Sequence, residues 1–372
     1  MIPYLAVLAF IPIAAVILKP QQSRGARLLF CWIIFGILAL LAMVRSCTVG
    51  IDTKQFVMAY EEIGSDPSFS FSSYRYEYGF TLLCRLLYHI SPDSQLLLIV
   101  TGAFIVYTVG YSVYKLSTDV ALSAFLFIGM TTYTLYLNVM RQAIAIGFVL
   151  LGYCKLMQRK WITAVLLLFC ATEFHQSAWL AILCFIITLL PFTWKTLIVY
   201  LITTILCFVG SNQLSTALSS FLGKERLYDP SFMGANYFGA LIRLLFTLCI
   251  VIMCFFYFPP KSRFSCYENR AMRMAGVYQH ILMLWLLFVA IGVRVEILGR
   301  LSYYFGSMVI IIAPFTLSGV LPSERNYVRV ILGAVCLAYF MVIGMARPEW
   351  HGAIPYSTDF SAVGNVFRSI FG

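Results

Sequence analysis

The strongest constraint on this chain is a succession of long apolar runs separated by short polar breaks. The sequence is 61% hydrophobic and 11% charged, with a mean hydropathy of +0.89. Most runs approach the ~20 residues that a helix needs to cross a ~30 Å hydrocarbon core. They lack the alternation with period two that membrane-spanning strands show. The pattern therefore predicts an all-α, polytopic transmembrane helical bundle.

We predict about twelve spans in a single integral membrane domain covering residues 1–372. The spans are residues 2–18, 28–45, 95–115, 120–137, 139–158, 161–173, 175–191, 196–211, 237–258, 277–293, 301–318 and 328–346. Residues 2–18 follow no basic n-region, so we interpret them as a span and not as a cleaved signal. The predicted outer loops are 46–78 and 212–236, and a polar tail at 347–372 is expected on the outer surface.

Residues 79–91 form a shorter helical pattern with an apolar stripe that includes Phe80 and Leu87. Thr81, Arg85 and His89 recur at i+4 steps on the opposite face, which we interpret as its wet face. About 13 residues are too few to span comfortably. We therefore predict an interfacial or re-entrant helix that does not cross the membrane.

The net charge of +11 would suggest a nucleic-acid partner in a soluble protein. Here the charges lie in loops between spans, so membrane orientation explains them better and no nucleic-acid partner is predicted. With an outer N-terminus, the cytoplasmic loops contain more than half of the Lys and Arg but only Asp119, Glu268 and Glu324 among the acids. The positive-inside rule then predicts that both termini face the periplasm.

Five polar clusters fall near the outer ends of spans in this topology. They are Arg-Ser-Cys-Thr-Val-Gly-Ile-Asp-Thr at 45–53, Glu-Tyr-Gly-Phe at 77–80, Asn-Val-Met-Arg-Gln at 138–142, Glu-Phe-His-Gln-Ser-Ala at 173–178 and Arg-Leu-Ser-Tyr-Tyr-Phe at 300–305. Asn138 lies three residues before Arg141 and four before Gln142, so the three are predicted to share a helical face. The clusters are expected to converge on one cavity open to lipid.

The ordered motifs R-x4-G-x-D-T, E-x-G-F, N-x-x-R-Q-x-I-A, F-H-x-S-A and R-x-x-Y-Y-F resemble the EpsG-like branch of the Wzy-type polysaccharide polymerases. The resemblance covers residues 25–310. It implies a multi-pass glycosyltransferase of the bacterial inner membrane that joins oligosaccharide repeat units carried on undecaprenyl diphosphate, at the periplasmic face. It also implies membrane lipid, a chain-length regulator and a flippase as partners.

The residue types fit this chemistry independently. Arginine binds phosphate oxygens through a planar fork that stays charged, which suits a lipid-linked diphosphate. The predicted substrate-binding residues are Arg141, Arg300, Arg45, Arg243, Asn138, Gln142, Glu77 and Tyr304. A base must accept the proton of the acceptor hydroxyl, and the predicted catalytic residues are His175, Glu173 and Asp52. The histidines show no metal-ligand spacing, so neither a metal nor a cofactor is predicted.

Each candidate has a structural alternative. Arg141 can be an arginine that extends to the interface, Arg45 a helix-end anchor, and His175 a hydrogen-bonded core histidine. Glu77 can pair with Arg75 or Arg45, and Arg300 with Glu296 four residues before it.

Three other functions remain open: a flippase or transporter for the same lipid, a membrane acyltransferase and a glycan ligase. No apolar run contains a central carboxylate, which disfavours ion-coupled transport. An acyltransferase would not need a cluster of outward arginines. A ligase shares the donor and differs only in the acceptor. The absence of G-x-x-x-x-G-K-[ST] disfavours an ATP-driven role.

Overall fold

The computed structural model describes residues 1–211, 213, 216, 237–258 and 270–371, and this part of the chain is helical with no β-strand. The predicted outer loop 212–236 and most of the basic loop at 261–273 lie outside these ranges. The helices are α1 (Ile2–Leu18), α2 (Arg24–Met43), α3 (Thr53–Ser65), α4 (Tyr78–Ile90), α5 (Gln95–Leu116), α6 (Val120–Gly129), α7 (Thr132–Asn138), α8 (Met140–Leu156), α9 (Trp161–Thr172), α10 (Ala178–Ile187), α11 (Trp194–Val209), α12 (Tyr237–Tyr257), α13 (Arg270–Gly292), α14 (Glu296–Gly299), α15 (Tyr303–Thr316), α16 (Arg325–Ala346) and α17 (Phe360–Phe371).

The all-helical prediction is confirmed, but twelve spans are not shown. Within the described residues six helical segments are long and apolar enough to cross a membrane. They are Arg24–Met43, Gln95–Leu116, Phe238–Tyr257, Met274–Gly292, Arg300–Gly319 and Arg325–Ala346. The pair α6 and α7 would make a seventh, but it bends by 55°. Other predicted spans are helices of only 10 to 17 residues, and at 1.5 Å per residue these fall short of ~30 Å.

Packing divides the chain into two compact units. Unit 1 comprises Met1–Trp179 and Ile331–Gly372, and unit 2 comprises Leu180–Val330. The expectation of one membrane domain over the whole chain stays a prediction.

Unit 1 is built around close contacts between α2, α5 and α8. Gly102 of α5 faces Ala42 of α2, where an added Cβ would lie 3.0 Å from both the Ala42 Cβ and its carbonyl oxygen. Gly147 of α8 similarly faces the Thr108 hydroxyl of α5. Small residues let membrane helices approach closely and gain packing contacts that lipid cannot replace.

The predicted outer loop 46–78 contains a helix that the sequence analysis missed. This helix is α3, and it packs against α4. The 13 residues of α4 confirm the helix that was predicted at 79–91. The predicted wet face is exposed only in part, because His89 is exposed and Arg85 is half-buried, whereas Thr81 is fully buried. Arg85 donates hydrogen bonds to the carbonyls of Gly64 and Asp66 and satisfies the carboxyl end of α3.

The tail contains a helix, α17, that the sequence analysis did not predict. Its segment 352–359 lies along residues 44–50, with the Gly50 N–H donating to the Gly352 carbonyl at 2.8 Å and the Ser46 N–H to the Ser357 carbonyl at 3.0 Å. α17 follows and contacts α5, burying Val366 and exposing Phe367 and Phe371. The tail therefore closes one end of unit 1.

Unit 2 surrounds α13, which packs against α11, α12 and α15. Buried His280 of α13 donates from Nε2 to the Leu190 carbonyl at 3.0 Å. Its Nδ1 therefore accepts from the Tyr200 hydroxyl at 2.9 Å, as in a neutral imidazole. These bonds fix the histidine as a structural element of the core.

Close packing at Gly102 predicts that Gly102→Val destabilises unit 1. A valine there must displace Ala42 or its backbone, and overpacking typically costs about 1–3 kcal/mol. The measurement is thermal unfolding of the purified protein in detergent.

Gly333→Val on α16 is the matched control, because a Cβ there would meet only Phe125 at 3.7 Å. Equal melting temperatures for the two variants would contradict the packing assigned to Gly102.

Candidate functional site

Four of the predicted polar clusters lie at one end of unit 1, which we call the site end. Its segments are residues 44–53, 77–79, 138–142 and 173–177, joined by hydrogen bonds and covered in part by the tail. These links connect segments that are as much as 99 residues apart in sequence. The predicted grouping of these clusters is therefore observed within unit 1.

Loop 44–53 reaches the junction between α7 and α8 through Gly50. This glycine has a φ of 98° and a Cβ on it would lie 2.6 Å from the Leu137 carbonyl oxygen. The neighbouring Asp52 N–H donates to the Asn138 side-chain oxygen at 2.9 Å. Only glycine fits this approach without strain. The predicted residues Asp52 and Asn138 are thus brought into direct contact.

The predicted shared helical face of Asn138, Arg141 and Gln142 is wrong. α7 ends at Asn138, Val139 leaves the helical conformation with a ψ of 53°, and α8 begins at Met140. The break is stabilised from outside the helix, because Asn138 takes its partner from loop 44–53. Gln142 is buried in α8, whereas Arg141 lies in the first turn of a helix that has no side-chain cap.

Arg141 forms a salt bridge with Glu77, the residue that precedes α4. The Arg141 Nη1 pairs with one carboxylate oxygen, and the other accepts the Gln176 N–H at 2.9 Å. The two side chains are only 22% and 20% exposed. Glu77 therefore pairs with neither of the alternatives, Arg75 or Arg45, and it connects α8 to the 173–177 turn.

Aromatic rings surround the Arg141 guanidinium. Its Cζ lies 4.9 Å from the ring centroid of Tyr76, 5.6 Å from that of Phe56 and 5.8 Å from that of Phe80. Such cation–π contacts each contribute about 0.5–2 kcal/mol. They fix the guanidinium in place, unlike an arginine that extends to the interface. Sequence analysis missed Tyr76, although this residue directly precedes the quoted Glu77 motif.

The 173–177 turn carries two of the predicted catalytic residues. The Glu173 carbonyl accepts the Gly79 N–H at 2.8 Å, and its side chain is exposed. Half-buried His175 contacts the Ser177 hydroxyl through Nδ1 at 2.7 Å and the Ser177 N–H at 3.3 Å. An N–H can only donate, so Nδ1 is the acceptor and the proton of the neutral ring is on Nε2.

Arg45 lies two residues beyond α2 and is 1% exposed, with hydrogen-bond partners for neither Nε nor Nη2. Burial lowers the pKa of Arg45 to about 10, opposed by the nearby hydroxyls of Tyr133, Tyr4 and Tyr356. The group therefore stays cationic at neutral pH. Residues 352–359 cover it, since Thr358 forms a backbone bridge with Arg45 itself. Arg45 is therefore enclosed near the end of α2 and is not exposed there, while its role stays a prediction.

The remaining predicted residues belong to unit 2. Arg243 donates to the Ser302 hydroxyl, and its Cζ lies 4.9 Å from the ring centroid of Tyr303. Arg300 begins a 3₁₀ turn that contains Ser302, and Tyr304 is buried behind it. Arg243 and the 300–304 turn are thus brought together. Their convergence with the site end stays a prediction.

In the described part of the chain no group of three or more His, Cys, Asp or Glu side chains is placed to hold a metal ion.

The chain was compared with known proteins. A model of the EpsG family matches residues 28–358, a range that includes all the predicted site residues. No curated protein and no solved structure matches the chain. Because the match covers most of the sequence, the chain belongs to the EpsG family.

Proposed function

We propose that this protein is a membrane glycosyltransferase that polymerises undecaprenyl-diphosphate-linked oligosaccharide repeat units at the periplasmic face of the bacterial inner membrane. Membership of the EpsG family and the apolar helical fold support a role in membrane polysaccharide synthesis. The observation that carries the proposal is the fixed, partly exposed Arg141 at the uncapped start of α8.

Donor binding would use two features of that position. The first N–H groups of a helix and its dipole favour anions, and the guanidinium adds a full positive charge. Glu77 already holds Nη1, and Nε is buried. A diphosphate would therefore bind at Nη2 or displace Glu77. Displacement would also release the Gln176 N–H, so donor binding would be transmitted to the 173–177 turn.

The transfer step needs one proton acceptor. The acceptor hydroxyl oxygen attacks the anomeric carbon, the bond from that carbon to the phosphate oxygen breaks, and the diphosphate leaves with the electron pair. The hydroxyl proton passes to a base. Because His175 Nδ1 is already an acceptor for Ser177, we assign the base to the exposed Glu173 and a hydrogen-bond donor role to His175.

Substitutions at Arg141 test donor binding. Arg141→Ala should make no polymer, and Arg141→Lys should be badly impaired because lysine keeps the charge but loses the planar fork. Removing one partner of a desolvated charge pair typically costs about 2–5 kcal/mol. The readout is accumulation of single repeat units in cells, with the protein level checked by blot.

Two variants sharpen this test. Arg75→Ala removes an exposed cation that lies 5.2 Å from the same Tyr76 ring, and it should leave polymer length unchanged. Glu77→Gln should lower KM for the donor, because no carboxylate then competes with the diphosphate for Arg141. It should also lower kcat, because the 173–177 turn is held less tightly. Long polymer from Arg141→Ala would contradict the proposed role.

The base assignment predicts different losses for neighbouring residues. Glu173→Gln in the purified enzyme should lower kcat by about 10²–10⁴-fold with little change in KM. His175→Ala and Asp52→Asn should lose less of kcat. If His175→Ala is the variant that abolishes turnover, the histidine is the base and Glu173 is not.

The orientation can be tested with single cysteines at exposed positions. Ser72→Cys lies beside the site end, next to Phe71, whose ring contacts that of Tyr78. Gln22→Cys lies in the turn between α1 and α2. In spheroplasts a membrane-impermeant maleimide should label Ser72→Cys but should label Gln22→Cys only after permeabilisation. The unsubstituted protein gives the background from native cysteines. The reverse labelling would place the site end in the cytoplasm and end the proposal as stated.

The same purified protein separates polymerase from ligase. Given only lipid-linked repeat units, a polymerase produces longer lipid-linked chains, because donor and acceptor are the same molecule. A ligase would give product only when another acceptor is added.

A further inference from the structure

A second polar region lies at the opposite end of α2 and α5 from the site end, and we call it the basic end. It contains Arg24, Arg27 and Lys115, and the 20 residues of α2 place it roughly 30 Å from loop 44–53. A polar pocket opens there between residues 20–27 and Tyr114. None of these residues belongs to the proposed catalytic machinery.

The three cations differ in what they are free to bind. Arg27 is used by the fold, since its Nη2 donates to the carbonyls of Tyr114 at 2.7 Å and Ser117 at 2.6 Å at the end of α5. Arg24 is exposed and donates from Nε to the Tyr114 hydroxyl at 3.1 Å. The Lys115 amine is exposed and lies 5.3 Å from the Tyr114 ring centroid. Arg24 and Lys115 thus remain available to an anion.

An apolar groove continues from this pocket between α2 and α5. Its volume is about 400 Å³, and it shares Tyr114 and Lys115 with the polar pocket. Gly36 lies in its wall with no atom near the position of a Cβ, and Trp32 at its side is 68% exposed. Both helices are candidate spans, so the groove faces the membrane interior.

The length of the groove limits what can occupy it. From Lys115 to Ala103 it follows α5 for 12 residues, or about 18 Å. This is close to the depth of one leaflet, half of a ~30 Å hydrocarbon core. The groove therefore suits one acyl chain of a lipid in a single leaflet, while a longer polyprenyl chain would extend beyond it.

We propose that this groove is a binding site for an anionic diacyl phospholipid, with the phosphate between Arg24 and Lys115 and one acyl chain along Gly36. Paired basic side chains at a membrane surface attract anionic lipid head groups. The adjacent groove is about as long as one leaflet is deep, so it can hold an acyl chain of the lipid whose head group these side chains attract. The proposal is independent of the catalytic role of the site end.

The test uses Trp32 as a reporter of the groove. The purified protein is placed in vesicles of zwitterionic lipid with increasing fractions of brominated phosphatidylglycerol or brominated phosphatidylcholine. Subtracting the response of Trp32→Phe isolates the quenching of Trp32. Brominated phosphatidylglycerol should quench at a lower fraction, with a loss of about fivefold in apparent affinity for each of Arg24→Gln and Lys115→Gln.

Gly36→Leu should fill the groove and weaken the phosphatidylglycerol-specific quenching, whereas Gly333→Leu on α16 should not. Both positions accept a Cβ without a close contact, so both variants are expected to fold, as gel filtration would confirm. Equal quenching by the two brominated lipids would overturn the proposal. An unchanged preference of Gly36→Leu for brominated phosphatidylglycerol would also overturn it, because only a basic surface would then be involved. Displacement of the brominated lipid by a polyprenyl phosphate at a lower concentration than by phosphatidylglycerol would overturn it as well.

Discussion

The arrangement of the site end depends on the carboxylate of Glu77. One of its oxygens pairs with Arg141 and the other accepts the Gln176 N–H, although the three residues lie on different segments. Charges at the edge of a bilayer are costly unless they are paired, so the pair and its environment stabilise each other. The adjacent hydrogen bond from the Gly79 N–H to the Glu173 carbonyl also links α4 to the 173–177 turn. The Glu77 carboxylate thereby holds α4, α8 and the 173–177 turn together.

The sequence predicted those features of the fold and the site that the lipid environment itself imposes. Long apolar runs predicted the six helices of the described residues that are long and apolar enough to cross a membrane, because the backbone of a spanning segment must satisfy its own hydrogen bonds in lipid. The positive-inside rule singled out Arg141, since a basic residue at the predicted outer end of a span needs a reason. In the structure the Arg141 guanidinium pairs with Glu77 and is surrounded by three aromatic rings.

Other features depend on contacts that sequence patterns do not contain. The periodicity of residues 79–91 predicted the helix but not which positions are buried. Thr81 on the predicted polar stripe is fully buried, whereas Leu82 and Leu86 on the apolar stripe are exposed. The break at Val139 has neither proline nor glycine to mark it. It depends instead on the contact of Asn138 with Asp52, 86 residues earlier in the chain. The prediction of twelve spans is not shown, because it counted apolar runs of any length, and helices such as α9 and α10 have only 12 and 10 residues.

The strap formed by residues 352–359 has a consequence for biosynthesis. Its bonds to residues 44–50 are made by a segment that follows α16, so the enclosure of Arg45 requires α16 to be in place first. During synthesis the ribosome releases residues 44–50 long before it reaches 352. Throughout that interval the guanidinium of Arg45 is open to water and lipid head groups. Synthesis of residues 352–359, and not insertion of the early helices, is therefore the event that seals this end of unit 1.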